Sequence, residues 1–154
     1  MSSQLLPRQF DDAYRGSRLA LWLLGLLLAT KAAMSLNSIF NGRVVASSAD
    51  GIPLDTFTPA AAQTVVAMFA IWAVAQLAIC GLGVLALVRY RSMVPLILAL
   101  ILLEHASRKL ALYFIPVART GSPPGGIVNL ALFTVEVAGL ALALRRRGDR
   151  PAQE

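Results

Sequence analysis

Four long apolar runs, separated by short polar segments, dominate the pattern of this sequence. A helix needs about 20 apolar residues to cross a bilayer, and residues 56–88 contain no charged side chain. A run of that length is too long for the core of so small a soluble protein. The pattern therefore predicts an all-α, polytopic membrane protein in which residues 1–154 form a single domain, a bundle of four transmembrane helices. The predicted spans cover residues 18–39, 59–88, 93–115 and 127–144.

Turn-forming residues mark the ends of these spans. Thr58 is a favoured N-cap and Pro59 suits the first helical position, so the second helix should begin there. Pro95 fits the first turn of the third helix, and Pro116 should end it. Residues 40–58, which contain Asn-Gly, Asp-Gly and Pro, are predicted to form a long loop that faces outward. Residues 1–16 and 146–154 are predicted to be polar cytoplasmic tails.

Composition strengthens the membrane assignment. Hydrophobic residues make up 57% of the chain and charged residues only 14%, with a mean hydropathy of +0.68, whereas soluble domains carry about 25% charged residues. The net charge of +6 does not indicate nucleic-acid binding, because the basic residues lie at the ends of apolar runs and not on a solvated face with aromatic neighbours. Cys80 is the single cysteine, which excludes an intramolecular disulfide.

The first apolar run could instead be a secretory signal, since a basic leader precedes it. Lys31 and Met34 fall where a cleavage site would need small residues, so we expect an uncleaved span. Lysine and arginine near the span ends then predict the topology. Nine arginines lie on one side and two, Arg43 and Arg119, on the other. We therefore expect a multi-pass protein of the cell inner membrane with both termini in the cytoplasm.

Each predicted span carries one polar residue at a similar depth. Lys31, Gln76 and Glu104 lie 13 residues from the basic residue at the cytoplasmic end of their spans, which corresponds to about 20 Å. Glu136 lies 9 residues from Arg145, or about 14 Å. Because charged groups rarely face lipid, we expect these four side chains to converge inside the bundle.

The third span adds a cluster of polar residues at positions 104–109. Glu104 and Arg108 are spaced i,i+4, so they can form an ion pair on one helix face, and that pair could be purely structural. Lys109 lies near the outer end and can extend to the interface. The predicted polar centre, which could bind a proton or a small solute, comprises Lys31, Gln76, Glu104, His105, Arg108 and Glu136.

Glu136 has no basic residue within a turn of its own helix. Its partner must come from another span, and Lys31 is at a depth that differs by only about 6 Å. If the two residues pair, apolar replacement of both, Lys31→Met with Glu136→Leu, should restore packing that either single change disturbs. The alternative is a protonated carboxyl at Glu136, because burial disfavours the charged form.

The sequence contains no catalytic motif and no phosphate-binding glycine loop. One histidine is too few ligands for a metal or haem site in a single chain, so we expect no metal, no cofactor and no catalytic residue. Our first interpretation is a structural or accessory membrane component whose partners are the lipid bilayer and either further copies of itself or a larger membrane complex. The alternatives are a small proton-linked transporter or channel that works as an oligomer, and a membrane enzyme that acts on a lipid or a quinone.

Overall fold

The computed structural model describes residues 12, 14 and 16–145, and in this part of the chain the prediction of an all-helical fold is confirmed. The tails predicted at residues 1–16 and 146–154 lie largely outside the described residues. Two 3₁₀ turns, Leu54–Thr56 and Arg91–Met93, and a π-helical segment, Val45–Ala49, complete the helical structure. The five α-helices of the described residues are α1 (Arg18–Phe40), α2 (Gly42–Val44), α3 (Pro59–Val88), α4 (Val94–Phe114) and α5 (Gly125–Leu144).

The ends of the long helices follow local chemistry. Ser17 Oγ accepts a hydrogen bond from the Leu19 amide at 3.3 Å and caps α1. Thr58 Oγ1 accepts one from the Ala61 amide at 3.3 Å and caps α3, as predicted. The start of α5 differs from the prediction by two residues. Pro124 already has helical angles, φ −66° and ψ −21°, so the helix begins at Gly125 and not at residue 127.

The segment predicted as a loop, residues 40–58, contains helical structure, because α2, the π-helical segment and the first 3₁₀ turn all lie in it. Ala46, Ile52 and Leu54 are buried in a small apolar cluster with Ala62, near the beginning of α3. This segment therefore has an apolar face of its own that packs on the bundle, and burial of that face orders it.

The long helices form a ring. Helix α1 packs against α3 and α5, while α4 packs against α5 and less extensively against α3. We call the half of the bundle where α1 begins and α5 ends the terminal half. The other half, where residues 41–58 and 115–124 connect the helices, is the loop half.

Apolar and small side chains fill the terminal half. Leu28 of α1 lies against Gly83 of α3, where an added Cβ would come within 2.5 Å of the Leu28 side chain. Glycine therefore allows these two helices to approach closely, and a larger residue would force the Leu28 side chain to move. Gly81, two residues earlier on the same helix, has no neighbouring atom within 4 Å of such a Cβ. The core of this half comprises Ala20, Leu24, Leu27, Leu28, Cys80, Ala86, Val94, Ile97, Leu98, Ile101 and Ala143.

In the loop half, Gly51 joins the two connecting segments. Thr120 donates hydrogen bonds to the Gly51 carbonyl from its amide at 2.8 Å and from its hydroxyl at 3.2 Å. Gly51 has a φ of +72°, and a Cβ there would lie 3.0 Å from Pro123. Glycine is needed for both the left-handed backbone and the close contact.

Large apolar side chains cover the outside of the bundle. Trp22, Ile71 and Ile127 are at least 70% exposed, and exposed apolar surface of this extent marks contact with lipid or protein. Among the described residues, three helices, α1, α3 and α5, are long and apolar enough to cross a membrane. These features indicate a multi-pass membrane protein. Helix α4 has 21 residues but carries Glu104, Arg108 and Lys109.

Candidate functional site

Lys31 and Glu136 meet in the interior of the bundle, as their matched depths predicted. Lys31 Nζ lies 3.1 Å from Glu136 Oε1. Both side chains are buried, with 6% and 0% of their surface exposed. The contact joins α1 to α5 where α1 leaves the apolar core of the terminal half. Because both side chains are buried, each charge depends on the other for neutralisation.

His105 binds the second oxygen of the same carboxylate. Its Nδ1 lies 2.9 Å from Glu136 Oε2, and the side chain is fully buried. An ionised carboxylate only accepts hydrogen bonds, so Nδ1 carries the hydrogen in this contact. The ring of Phe133 packs edge-on at 5.3 Å between centroids. Glu136 therefore connects α1, α4 and α5 through one side chain.

Glu104 completes this ionic cluster, which we define as Lys31, Glu104, His105 and Glu136. Glu104 Oε2 lies 3.9 Å from Lys31 Nζ, and 23% of the Glu104 side chain is exposed. The cluster thus contains two carboxylates, one lysine and one histidine. One additional proton would balance the charge of the cluster. Among the described residues, His105 Nε2 is buried without a hydrogen-bond partner.

The ion pair predicted between Glu104 and Arg108 is wrong, because it is not among the ion pairs of the described residues. Lys31 is the cation beside Glu104, and the Arg108 guanidinium lies 4.7 Å from the centre of the Trp72 ring. Arg108 also donates a long hydrogen bond of 3.5 Å to Asn129 Oδ1. An aromatic face and an amide therefore replace the carboxylate that the i,i+4 spacing suggested.

A cavity of about 270 Å³ lies in the loop half, next to the ionic cluster. Two of the predicted polar residues, Gln76 and Arg108, line this cavity and are not members of the cluster. Lys31 belongs to both. Residues from α1, α3, α4 and α5 form its walls, and the two connecting segments contribute the rest. Its other polar and charged lining residues are Ser35, Ser38, Asp50, Arg119 and Asn129.

Asp50 is the acidic residue among those that line the cavity. Partial burial raises the pKa of its carboxyl above the ordinary 3.8, and the nearby positive charges of Arg119 and Arg108 oppose that rise. The Asp50 carboxylate lies beyond ion-pair distance from every basic group that the structure describes. The positive charge of the two arginines is therefore incompletely neutralised.

The sequence analysis did not predict several residues of the cavity. Trp72 is one helical turn from Gln76 on α3, so helical spacing could have placed it at the same site. Asp50 and Arg119 reach the cavity only because the two connecting segments fold together at Gly51 and Thr120. Lys109 lies with its Nζ 5.5 Å from the Phe133 ring centre and is exposed, outside both the cluster and the cavity.

No protein-family model, no curated protein and no solved structure matches this chain. The geometry of the site is therefore the basis for any functional assignment. Within the described part of the chain, no group of three or more His, Cys, Asp or Glu side chains is arranged to hold a metal ion.

Proposed function

We propose that the protein is a four-span component of the inner membrane, with both termini in the cytoplasm, and that its ionic cluster holds the helices in register. The contact that carries this proposal is the one between Lys31 and Glu136, which is 3.1 Å long and buried. In this role the protein is a structural or accessory subunit, acting as an oligomer or within a larger membrane complex.

The inward placement of the charges on α4 supports its assignment as the fourth span. A charge in the centre of a membrane helix costs about 2.5–3.5 kcal/mol on insertion scales. His105 is fully buried and Glu104 faces Lys31, so these groups have partners inside the bundle. Arg108 lies over Trp72 of α3. The strong bias of arginines to one side of the sequence supports the orientation.

Reporter fusions test the span number and the orientation. Reporters placed at the N-terminus and after Arg150 should both report the cytoplasm, and a reporter inserted at Ser48 should report the opposite side. If α4 does not cross, the two terminal reporters will lie on opposite sides of the membrane. That result would overturn the four-span proposal.

A double-mutant comparison tests the structural role of the cluster. Lys31→Met leaves the Glu136 carboxylate without its cation, so this variant should melt well below the parent protein in detergent. Adding Glu136→Gln removes the charge and keeps an oxygen that accepts from His105 Nδ1. The double variant should therefore recover most of the lost melting temperature and folded yield.

Glutamine is a better replacement for Glu136 than the leucine that the sequence suggested, because leucine would leave His105 Nδ1 without an acceptor. A double variant that melts no higher than Lys31→Met alone would contradict the structural role. Isolation of the native protein with its surrounding lipid, followed by identification of the proteins that accompany it, tests the accessory role.

A proton-linked carrier is the second candidate, and the adjacency of the cavity to the ionic cluster favours it. Lys31 lines the cavity and contacts Glu136, so a solute in the cavity would lie beside a group of titratable side chains. Reconstituted vesicles with a pH-sensitive dye inside test this function. Solute-driven proton movement that is lost in Glu136→Gln would support the carrier. The third alternative, a membrane enzyme, has no specific observation in its favour.

A further inference from the structure

The cavity in the loop half has the features of a binding site. Its volume of about 270 Å³ exceeds the roughly 150 Å³ that suffices to hold benzene in an engineered protein cavity. Apolar side chains, including Phe69, Trp72 and Leu132, form much of its wall. The space therefore suits a ring or a short branched chain with one polar group.

The charges around this space favour an anion. Arg108 has no carboxylate partner among the described residues, and its guanidinium is supported by the Trp72 ring and by Asn129. Arg119 makes no hydrogen bond or ion pair with any residue that the structure describes, and it also lines the cavity. Glu136 and Glu104 lie beside Lys31 in the ionic cluster and do not line the cavity. Of the other charged side chains that do line it, two arginines face one acidic residue, Asp50.

A buried amide provides independent evidence for a ligand. Gln76 lines the cavity with only 5% of its surface exposed. Among the described residues its Nε2 meets no oxygen or nitrogen acceptor, and only the weakly accepting sulfur of Cys80 lies beside it. A buried donor that lacks a strong acceptor destabilises the folded protein. An oxygen atom of a bound molecule would satisfy it. The amide and the two guanidinium groups thus supply donors on the walls of one space.

We propose that this cavity binds a small organic anion, with an apolar body held against Trp72 and a carboxylate or phosphate group held by Arg108 and Arg119. A guanidinium matches both acid groups through paired N–H donors. The source of the anion is either a free organic acid or the headgroup of an anionic lipid. The proposal concerns binding alone and does not depend on the structural role of Lys31 and Glu136.

Tryptophan fluorescence tests the site directly, because the chain has two tryptophans and only Trp72 lines the cavity. In a Trp22→Phe background, the probe 4-bromobenzoate should quench Trp72 saturably through its bromine atom. The neutral analogue 4-bromobenzamide has nearly the same shape and should quench much more weakly at equal concentration. The control is a Trp72→Phe protein, which keeps the exposed Trp22. Quenching of Trp22 gives the contribution of probe dissolved in the detergent.

Charge variants identify the groups that hold the acid. Arg108→Gln and Arg119→Gln should each weaken 4-bromobenzoate binding by about tenfold or more. Lys109→Gln is the matched control, because it removes one positive charge from the neighbouring position of α4 outside the cavity. Melting curves establish that each variant is folded, and Arg119→Gln, at an exposed loop position, keeps the test valid if Arg108→Gln unfolds.

Competition distinguishes the two sources. If soluble short-chain phosphatidylglycerol displaces 4-bromobenzoate and short-chain phosphatidylcholine does not, the site binds an anionic lipid headgroup. Displacement by benzoate but by neither lipid assigns it to a free organic acid. Equal quenching by the carboxylate and the amide, or binding that is unchanged in both arginine variants, would overturn the proposal.

Discussion

The terminal half and the loop half of the bundle consist of the same four long helices but are held together differently. In the terminal half, Leu24 and Leu98 are fully buried and Leu28 packs directly on Gly83. In the loop half, the contact between Lys31 and Glu136 joins two helices, a cavity lies beside it, and apolar packing is limited to the small cluster around Ala46 and Leu54. Close apolar packing holds the terminal half together, whereas the loop half combines a small apolar cluster with a few buried polar contacts.

The comparison shows why polar contacts and open space occur together. Apolar side chains contribute through many weak contacts, so they stabilise a helix pair only when they fill the space between the helices. An ion pair in a poorly hydrated interior joins two helices through one short contact. Helices joined in this way can leave unfilled volume nearby, and that volume is available to a ligand.

The largest effect is expected for Glu136→Ala in the loop half. This change removes the only carboxylate within 3.5 Å of Lys31 among the described residues and the acceptor of His105. Loss of one partner of a buried pair costs about 3–5 kcal/mol. Thermal melting in detergent measures the loss, with Glu136→Gln as the milder control. A loss below about 1 kcal/mol, the value for solvated pairs, would show that the cluster contributes little to stability.

The stability of the terminal half should depend on side-chain volume. Gly83→Val places a side chain where Leu28 already lies, and overpacking of this kind costs about 1–3 kcal/mol. Gly81→Ala is the control on the same helix, because a Cβ there meets no atom within 4 Å. It should leave the melting temperature unchanged or raise it, as alanine favours the helix. Equal destabilisation by the two changes would contradict close packing of α1 on α3.

Glu104 and Arg108 offer a smaller test within the loop half. Since they do not pair, the effects of Glu104→Gln and Arg108→Gln on stability should add, within about 0.5 kcal/mol. The i,i+4 pair predicted from the sequence would instead give a double variant more stable than the sum of the single effects. Melting temperatures of the two single variants and the double variant decide between these outcomes.

The smallest effect is expected at Asp50. Its pKa in the folded protein is raised by burial above 3.8, so the folded state binds the proton more tightly than the unfolded state. The stability from this group is present below pH 3.8 and is lost as the pH rises through the raised pKa. Asp50→Asn should therefore melt slightly higher than the parent protein at neutral pH. That advantage should disappear in acid, and an advantage that grows in acid would contradict the shift.

Much of this structure follows from local sequence. The apolar runs and the caps at Ser17 and Thr58 determine where α1 and α3 begin, because hydrophobicity and capping act over a few residues. The contact between Lys31 and Glu136 could also be anticipated. Each helix rises by a constant amount per residue, so position along the chain is a measure of depth along the bundle.

The partners of the other polar residues were decided by the tertiary structure. Depth does not specify how each helix is rotated about its axis, and rotation determines that Glu104 faces Lys31, while Arg108 lies over Trp72. The cavity depends on the contact of Gly51 with Thr120, which lie 69 residues apart. Contacts between residues so far apart in the sequence form only when the helices have packed. Local sequence does not bring the two segments together.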